Sequence, residues 1–224
     1  MRVGVLCPQM HKSGTLHRDL KPANVFITRS GVVKVGDLGG CVMVENLEDP
    51  IESEYGSPIF ICPEVWQSSV CSHKSDVWSL GCIVYMLMAQ RPPFEGHGAA
   101  VRASRTLLTV LLMNCSPVRL ERPPQLRQRV LHQKHEPPPE QYSKPLRDLV
   151  DRMLEKDPAH RPSCRDLRQD AYVAECVALW MRVSCGCDVV PVSGMRSTLR
   201  HAREEDVRDP GAFLLRRTAE MRGN

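Results

Sequence analysis

The segment Asp76-Val77-Trp78-Ser79-Leu80-Gly81-Cys82-Ile83-Val84-Tyr85-Met86-Leu87-Met88 is apolar on nearly every side of a helix. A helix with one apolar stripe can lie on a surface, whereas one apolar all round must be enclosed. The run is about twelve residues long, and a bilayer span needs about twenty, so the enclosing medium is protein. Ser75 is placed to cap this helix and Arg91-Pro92-Pro93 to stop it. A chain of 224 residues has the material to enclose it, as one domain with extensions or as two small ones.

The rest of the chain supplies that enclosure unevenly. Leu146, Leu149, Val150, Met153 and Leu154 follow the spacing of an amphipathic helix, closed by Pro158 and Pro162, with a short helix expected after Ser163. A second apolar run, Leu107 to Met113, reads as helical. Residues 117–139 are rich in Pro, Arg, Gln and His and read as an insertion or loop. Beyond about residue 180 the pattern fades. Near the start, Val25-Phe26-Ile27 and Val32-Val33-Lys34-Val35 flank Thr28-Arg29-Ser30-Gly31, which predicts a β-hairpin. Residues 39–63 suit a long functional loop. The predicted fold class is therefore mostly α with short β-hairpins.

A net charge of +4 is too mild to call for nucleic acid, and much of the excess sits among acids in the last stretch, which reads as a solvated tail. The ten cysteines are scattered singly through apolar segments, as buried thiols in a reducing compartment are. Cys185-Gly186-Cys187 lacks a second ligand pair for zinc. No secretory core region is visible, so the expected location is cytoplasmic or nuclear, with no membrane and no nucleic-acid partner.

The hairpin carries a chemical argument. If Ser30-Gly31 form a two-residue turn, Arg29 pairs with Val32, and Asn24 falls opposite Asp37. Paired residues lie roughly 5 Å apart, so an amide oxygen and a carboxylate converge, as a hard cation such as Mg²⁺ requires. Asp19, on the loop leading in, could take a proton from a hydroxyl. Lys21 could reach a phosphoryl group as a point charge. The bland alternative is that Asp19, Asn24 and Asp37 are ordinary turn formers.

The arrangement resembles a protein kinase. His17-Arg18-Asp19 with Asn24 is similar to the catalytic loop, Asp37-Leu38-Gly39 to the Asp-Phe-Gly motif, and Cys62-Pro63-Glu64 to Ala-Pro-Glu. Asp76-Val77-Trp78-Ser79-Leu80-Gly81 and Arg161-Pro162 follow in the family's order. Lys21-Pro22 and Gly56-Ser57-Pro58 look like serine/threonine kinases, and Pro22 to Thr28 with Gly36 to Gly39 is most similar to the NIMA-related group. The resemblance implies transfer of the ATP γ-phosphate to Ser or Thr hydroxyls of protein substrates. Asp19 and Lys21 would be catalytic, and Lys21, Asn24 and Asp37 would contact ATP and Mg²⁺. It also implies that His17 packs structurally, and that Arg18 binds a phosphate on the following loop. Ser53 would be an activating phosphosite or else a merely exposed serine, and Ser57 keeps the docking-loop hydroxyl. Glu64 and Arg161 would form a buried ion pair, and Asp76 would bond the catalytic-loop backbone. Ala23 cannot pair with an arginine on a substrate, so no strong demand for one is expected.

The resemblance covers about residues 10–172, with 1–9 unassigned, an insertion at about 97–140, and 173–224 as a partly disordered extension. No Gly-x-Gly-x-x-Gly loop and no Val-Ala-x-Lys strand occurs. The expectation is a large, C-terminal lobe with the N-terminal lobe absent. The chain is then either a truncated serine/threonine kinase, inactive alone, or a non-catalytic lobe that binds substrates or partners.

Overall fold

The computed structural model describes residues 9–28, 33–53, 55–94 and 124–185. After a helical turn at 9–12, six short strands follow in chain order: β1 (Thr15–Leu16), β2 (Val25–Ile27), β3 (Val33–Val35), β4 (Val42–Met43), β5 (Ile51–Glu52) and β6 (Val70–Cys71). They pair antiparallel as β1 with β4, β2 with β3, and β5 with β6. The helices are α1 (Pro63–Ser68), α2 (His73–Ala89), α3 (Pro124–His132), α4 (Lys144–Met153), α5 (Cys164–Gln169) and α6 (Ala171–Cys185). Single 3₁₀ turns occur at Pro22–Asn24, Leu38–Gly40 and Pro58–Phe60.

Helix α2 is the enclosed centre, with Val77, Trp78, Cys82 and Tyr85 fully buried, and Leu87 alone of its large apolar side chains exposed. Its cap is Ser72, not Ser75. The Ser72 hydroxyl accepts the Lys74 N–H at 3.2 Å, and Ser75 stands at the third position of a capping box, accepting the Ser72 N–H at 3.1 Å. Ser75 has a second task, donating to Glu64 Oε1 at 3.0 Å. At the other end Gln90 turns left-handed (φ 55°), so the helix closes before Arg91-Pro92-Pro93 is reached.

Helix α4 crosses α2 closely at Gly81, where an added Cβ would lie 2.9 Å from Met153 Cβ. Helix α3 corrects the expectation of a loop through 117–139. Val130 is fully buried, Leu126 and Leu131 pack on the core, and Pro124 suits a first turn. Helix α6 continues past residue 172, with Tyr172 and Val173 against the core. The expected helix at 107–113 and the Ser30-Gly31 turn lie outside the described residues. Among the described residues no helix is long and apolar enough to cross a membrane.

The hairpin register is also corrected. Val25 pairs with Val35, Phe26 with Lys34 and Ile27 with Val33. Continuing that register sets Asn24 opposite Gly36 rather than Asp37, and the Gly36 N–H donates to Asn24 O at 2.9 Å.

Candidate active site

The loop from His17 to Asn24 leaves β1 and is anchored from α2. The Asp76 carboxylate accepts the backbone N–H of His17 and of Arg18, each at 2.9 Å, and bonds His11 Nε2 at 2.8 Å. Asp76 is 3% exposed. Burial alone would raise its pKa. The His11 side chain and the two N–H donors outweigh burial and hold the carboxyl below its ordinary value. Arg18 takes a left-handed backbone conformation (φ 67°), which a non-glycine residue keeps only where its surroundings impose it. The Asp76 bonds to the N–H groups leading into that turn, with the Arg18 Nε bond to Gly40 O, hold it here.

His17 has no exposed surface. Its Nδ1 accepts the Asp19 N–H at 3.3 Å, so Nε2 carries the proton that reaches Gly36 O at 3.2 Å. The ring thus ties the loop to the end of the hairpin.

Asp19 then faces three donors. Oδ1 accepts the Ser57 N–H at 2.9 Å and the Ser57 hydroxyl at 3.1 Å, while Oδ2 accepts from Lys21 Nζ at 2.8 Å. Lys21 Nζ also reaches Ser57 Oγ at 3.2 Å. One carboxylate, one ammonium and one hydroxyl therefore join the loop at 17–24 to the loop before α1. Asn24, a buried residue, donates Nδ2 to Asp19 O at 2.9 Å, which assigns Oδ1 as its acceptor atom. Asp37, one residue beyond the hairpin pairing, is exposed and left-handed (φ 58°) at the start of the 3₁₀ turn Leu38–Gly40.

Two other groups brace the site. The Arg161 guanidinium, 1% exposed, meets Glu64 through two bonds of 2.8 and 3.0 Å. Burial alone would raise the Glu64 pKa, but the Arg161 hydrogen bonds and charge outweigh it and lower the carboxyl. Arg18 donates Nε to Gly40 O at 2.5 Å, and its guanidinium carbon lies 4.8 Å from the centre of the Tyr55 ring.

Ser53 is not the merely exposed serine of the alternative reading. It is 5% exposed, because its N–H extends the β5–β6 pairing to Ser69 O at 2.7 Å. Sequence reasoning also passed over His11 and Tyr55. His11 lies before every motif that stands out by type, and Tyr55 in a loop read for its serines. Each is marked by a partner distant along the chain, and periodicity carries no signal for such a pair.

Residues 7–173 match the protein kinase domain. Serine/threonine-protein kinase Nek4 of Mus musculus is 30% identical over 184 residues, which cover 82% of this chain and 20% of that protein. Serine/threonine-protein kinase Nek3 of Mus musculus is 35% identical over 158 residues, covering 70% of this chain and 26% of that protein. Serine/threonine-protein kinase Nek6 of Oryza sativa subsp. japonica is 30% identical over 205 residues, covering 91% and 32%. The chain thus spans about a third or less of the curated relatives it matches. Because the domain match takes in well over half of its residues, the chain belongs to the protein kinase domain family.

Proposed function

We propose that these residues form the phosphoryl-accepting side of a serine/threonine kinase site, at which the γ-phosphate of ATP passes to a Ser or Thr hydroxyl of a protein substrate. The observation that carries the reading is the Asp19 carboxylate, held by Ser57 and Lys21 between the two loops. Asp19 is oriented as the base that accepts the hydroxyl proton. Lys21, already bonded to Asp19 and Ser57, is the cation available to the phosphoryl group in flight. Asn24 Oδ1 and the exposed Asp37 carboxylate are hard oxygens and suit Mg²⁺. Mg²⁺ bound there would neutralise charge on the ATP phosphates. Asp76, His17, Glu64 and Arg161 keep the loops in place and touch no reactant.

The finer reading is that the described residues correspond to the large lobe. Residues 1–224 contain neither a Gly-x-Gly-x-x-Gly loop nor a Val-Ala-x-Lys strand, so the main nucleotide contacts lie elsewhere. The buried thiols Cys62, Cys71 and Cys82 support a reducing, cytoplasmic or nuclear setting. The missing nucleotide motifs also favour a second reading, in which the lobe binds protein partners without catalysis.

The test joins this chain behind the small lobe of a serine/threonine kinase and measures Mg²⁺-ATP phosphotransfer to Ser/Thr peptides. Transfer is expected, with Asp19→Asn lowering kcat by about 10²- to 10⁴-fold. A folded chimera that transfers nothing, or an Asp19→Asn chimera as active as its parent, overturns the catalytic reading and leaves the binding one. Phosphotransfer by residues 1–224 alone would overturn the placing of the nucleotide contacts elsewhere.

A further inference from the structure

Tyr55 is 55% exposed, yet one face of its ring is covered by the Arg18 guanidinium at 4.8 Å. The same ring passes over Gly40, where an added Cβ would meet Tyr55 Cδ1 at 3.4 Å. Gly40 is also the residue whose carbonyl takes the Arg18 Nε–H. The tyrosine, the arginine and the backbone of residue 40 therefore form one closed contact. Two residues further on, Ser57 makes its two bonds to Asp19.

The other side of Tyr55 is fixed by Ser53. The Ser53 hydroxyl accepts the Tyr55 N–H at 3.3 Å, and the Ser53 N–H is spent on Ser69 O. Ser53, Asp19 and Asp76 line one cavity of about 20 Å³. That is room for about one water molecule and not for a phosphate. A phosphate on Ser53 would enter beside the Arg18 guanidinium as well as two carboxylates, and the cavity does not hold its volume, so this arrangement is one that phosphorylation of Ser53 would break.

We propose that Tyr55 is a positioning residue: its ring, stacked on Arg18, holds residues 55–57 against the catalytic loop so that Ser57 bonds Asp19 with no phosphate on the segment. The proposal rests on the kinase reading, but it concerns how the loops are joined and needs no turnover to be tested. Arg18 is engaged from within the chain, by a π-face and a carbonyl. The segment is carried to that contact by the β5–β6 pairing, which ends at Ser53.

Amide hydrogen exchange at Ser57, in residues 1–224 freed of phosphate by a phosphatase, reads the contact directly. The expected result is a protected Ser57 amide in the parent and in Tyr55→Phe. In Tyr55→Leu it should exchange about five- to tenfold faster, with an unchanged unfolding midpoint. A Ser57 amide that exchanges in Tyr55→Leu as in the parent overturns the proposal, as does protection that arises only after Ser53 is phosphorylated. Should Tyr55→Leu lower the midpoint, Tyr55→Trp decides, since it keeps the π-face: parental protection sustains the proposal and fast exchange ends it. An inactive chimera would leave this result standing, and parental exchange in Tyr55→Leu would leave the role of Asp19 standing.

Discussion

A guanidinium withdrawn from water must find a partner for each of its N–H groups. Arg161 does so. Nε donates to Glu155 O at 2.8 Å, Nη1 to Glu64 Oε1 and to Lys74 O at 2.8 and 2.9 Å, and Nη2 to Glu64 Oε2 and Lys156 O at 3.0 and 3.2 Å. The Trp78 ring lies 5.1 Å away on the guanidinium face. Three carbonyls and one carboxylate thus depend on a single side chain. Replacing Arg161 by Ala leaves Glu64 charged and buried, and urea unfolding should show a loss of about 3–5 kcal/mol. Arg161→Lys should recover only part of it, because one ammonium cannot span the fork of Glu64 and reach the carbonyls as well.

Among the helices, the contact of α2 with α4 is decided at Gly81. Alanine is the better helix former, by about 1 kcal/mol. Its methyl carbon would stand 2.9 Å from Met153 Cβ, which is fixed to its backbone, and 3.1 and 3.3 Å from Leu154 Cδ2 and Cγ. Crowding should therefore exceed the gain, and Gly81→Ala should unfold at lower denaturant, with a net loss of about 1–2 kcal/mol. Helices α2 and α4 were both readable from sequence, because their apolar residues are numerous enough to define a face or to cover the whole cylinder. Helix α3 was hidden because, among Pro, Gln and Arg, it buries little beyond Val130. The strands β2 and β3 were readable and their register was not, since register depends on the length of the connection and not on the strands. The motif residues Asp19, Lys21, Asn24 and Asp37 stood out by type and order. What joins Asp19 to Ser57, or Arg18 to Tyr55, is a matter of folding path, which residue type does not record.

For the molecule as a whole, two carboxylates withdrawn from solvent contribute to the response to acid. Glu64 and Asp76 both have pKa values below their ordinary ones in the folded state. Their stabilisation is complete above the unfolded carboxylate range and is lost as pH falls through the lower, folded values. Stability should thus decline below about pH 4, each group contributing at most about 1.4 kcal/mol per pH unit. Urea titrations between pH 7 and 3 check this. A Glu64→Gln variant whose acid-side slope equals the parent's would remove Glu64 from the account.

The anchoring of the loop by Asp76 also has a consequence in time. His17 and Arg18 precede their partner by 59 and 58 residues, and Glu64 precedes Arg161 by 97. At roughly 5–20 residues per second, a ribosome makes the loop at 17–24 about 3–12 s before it makes the carboxylate that holds it. Through that interval the left-handed turn at Arg18 lacks its two Asp76 bonds. The nascent loop therefore gains its full anchoring only when the first turn of the central helix emerges behind it.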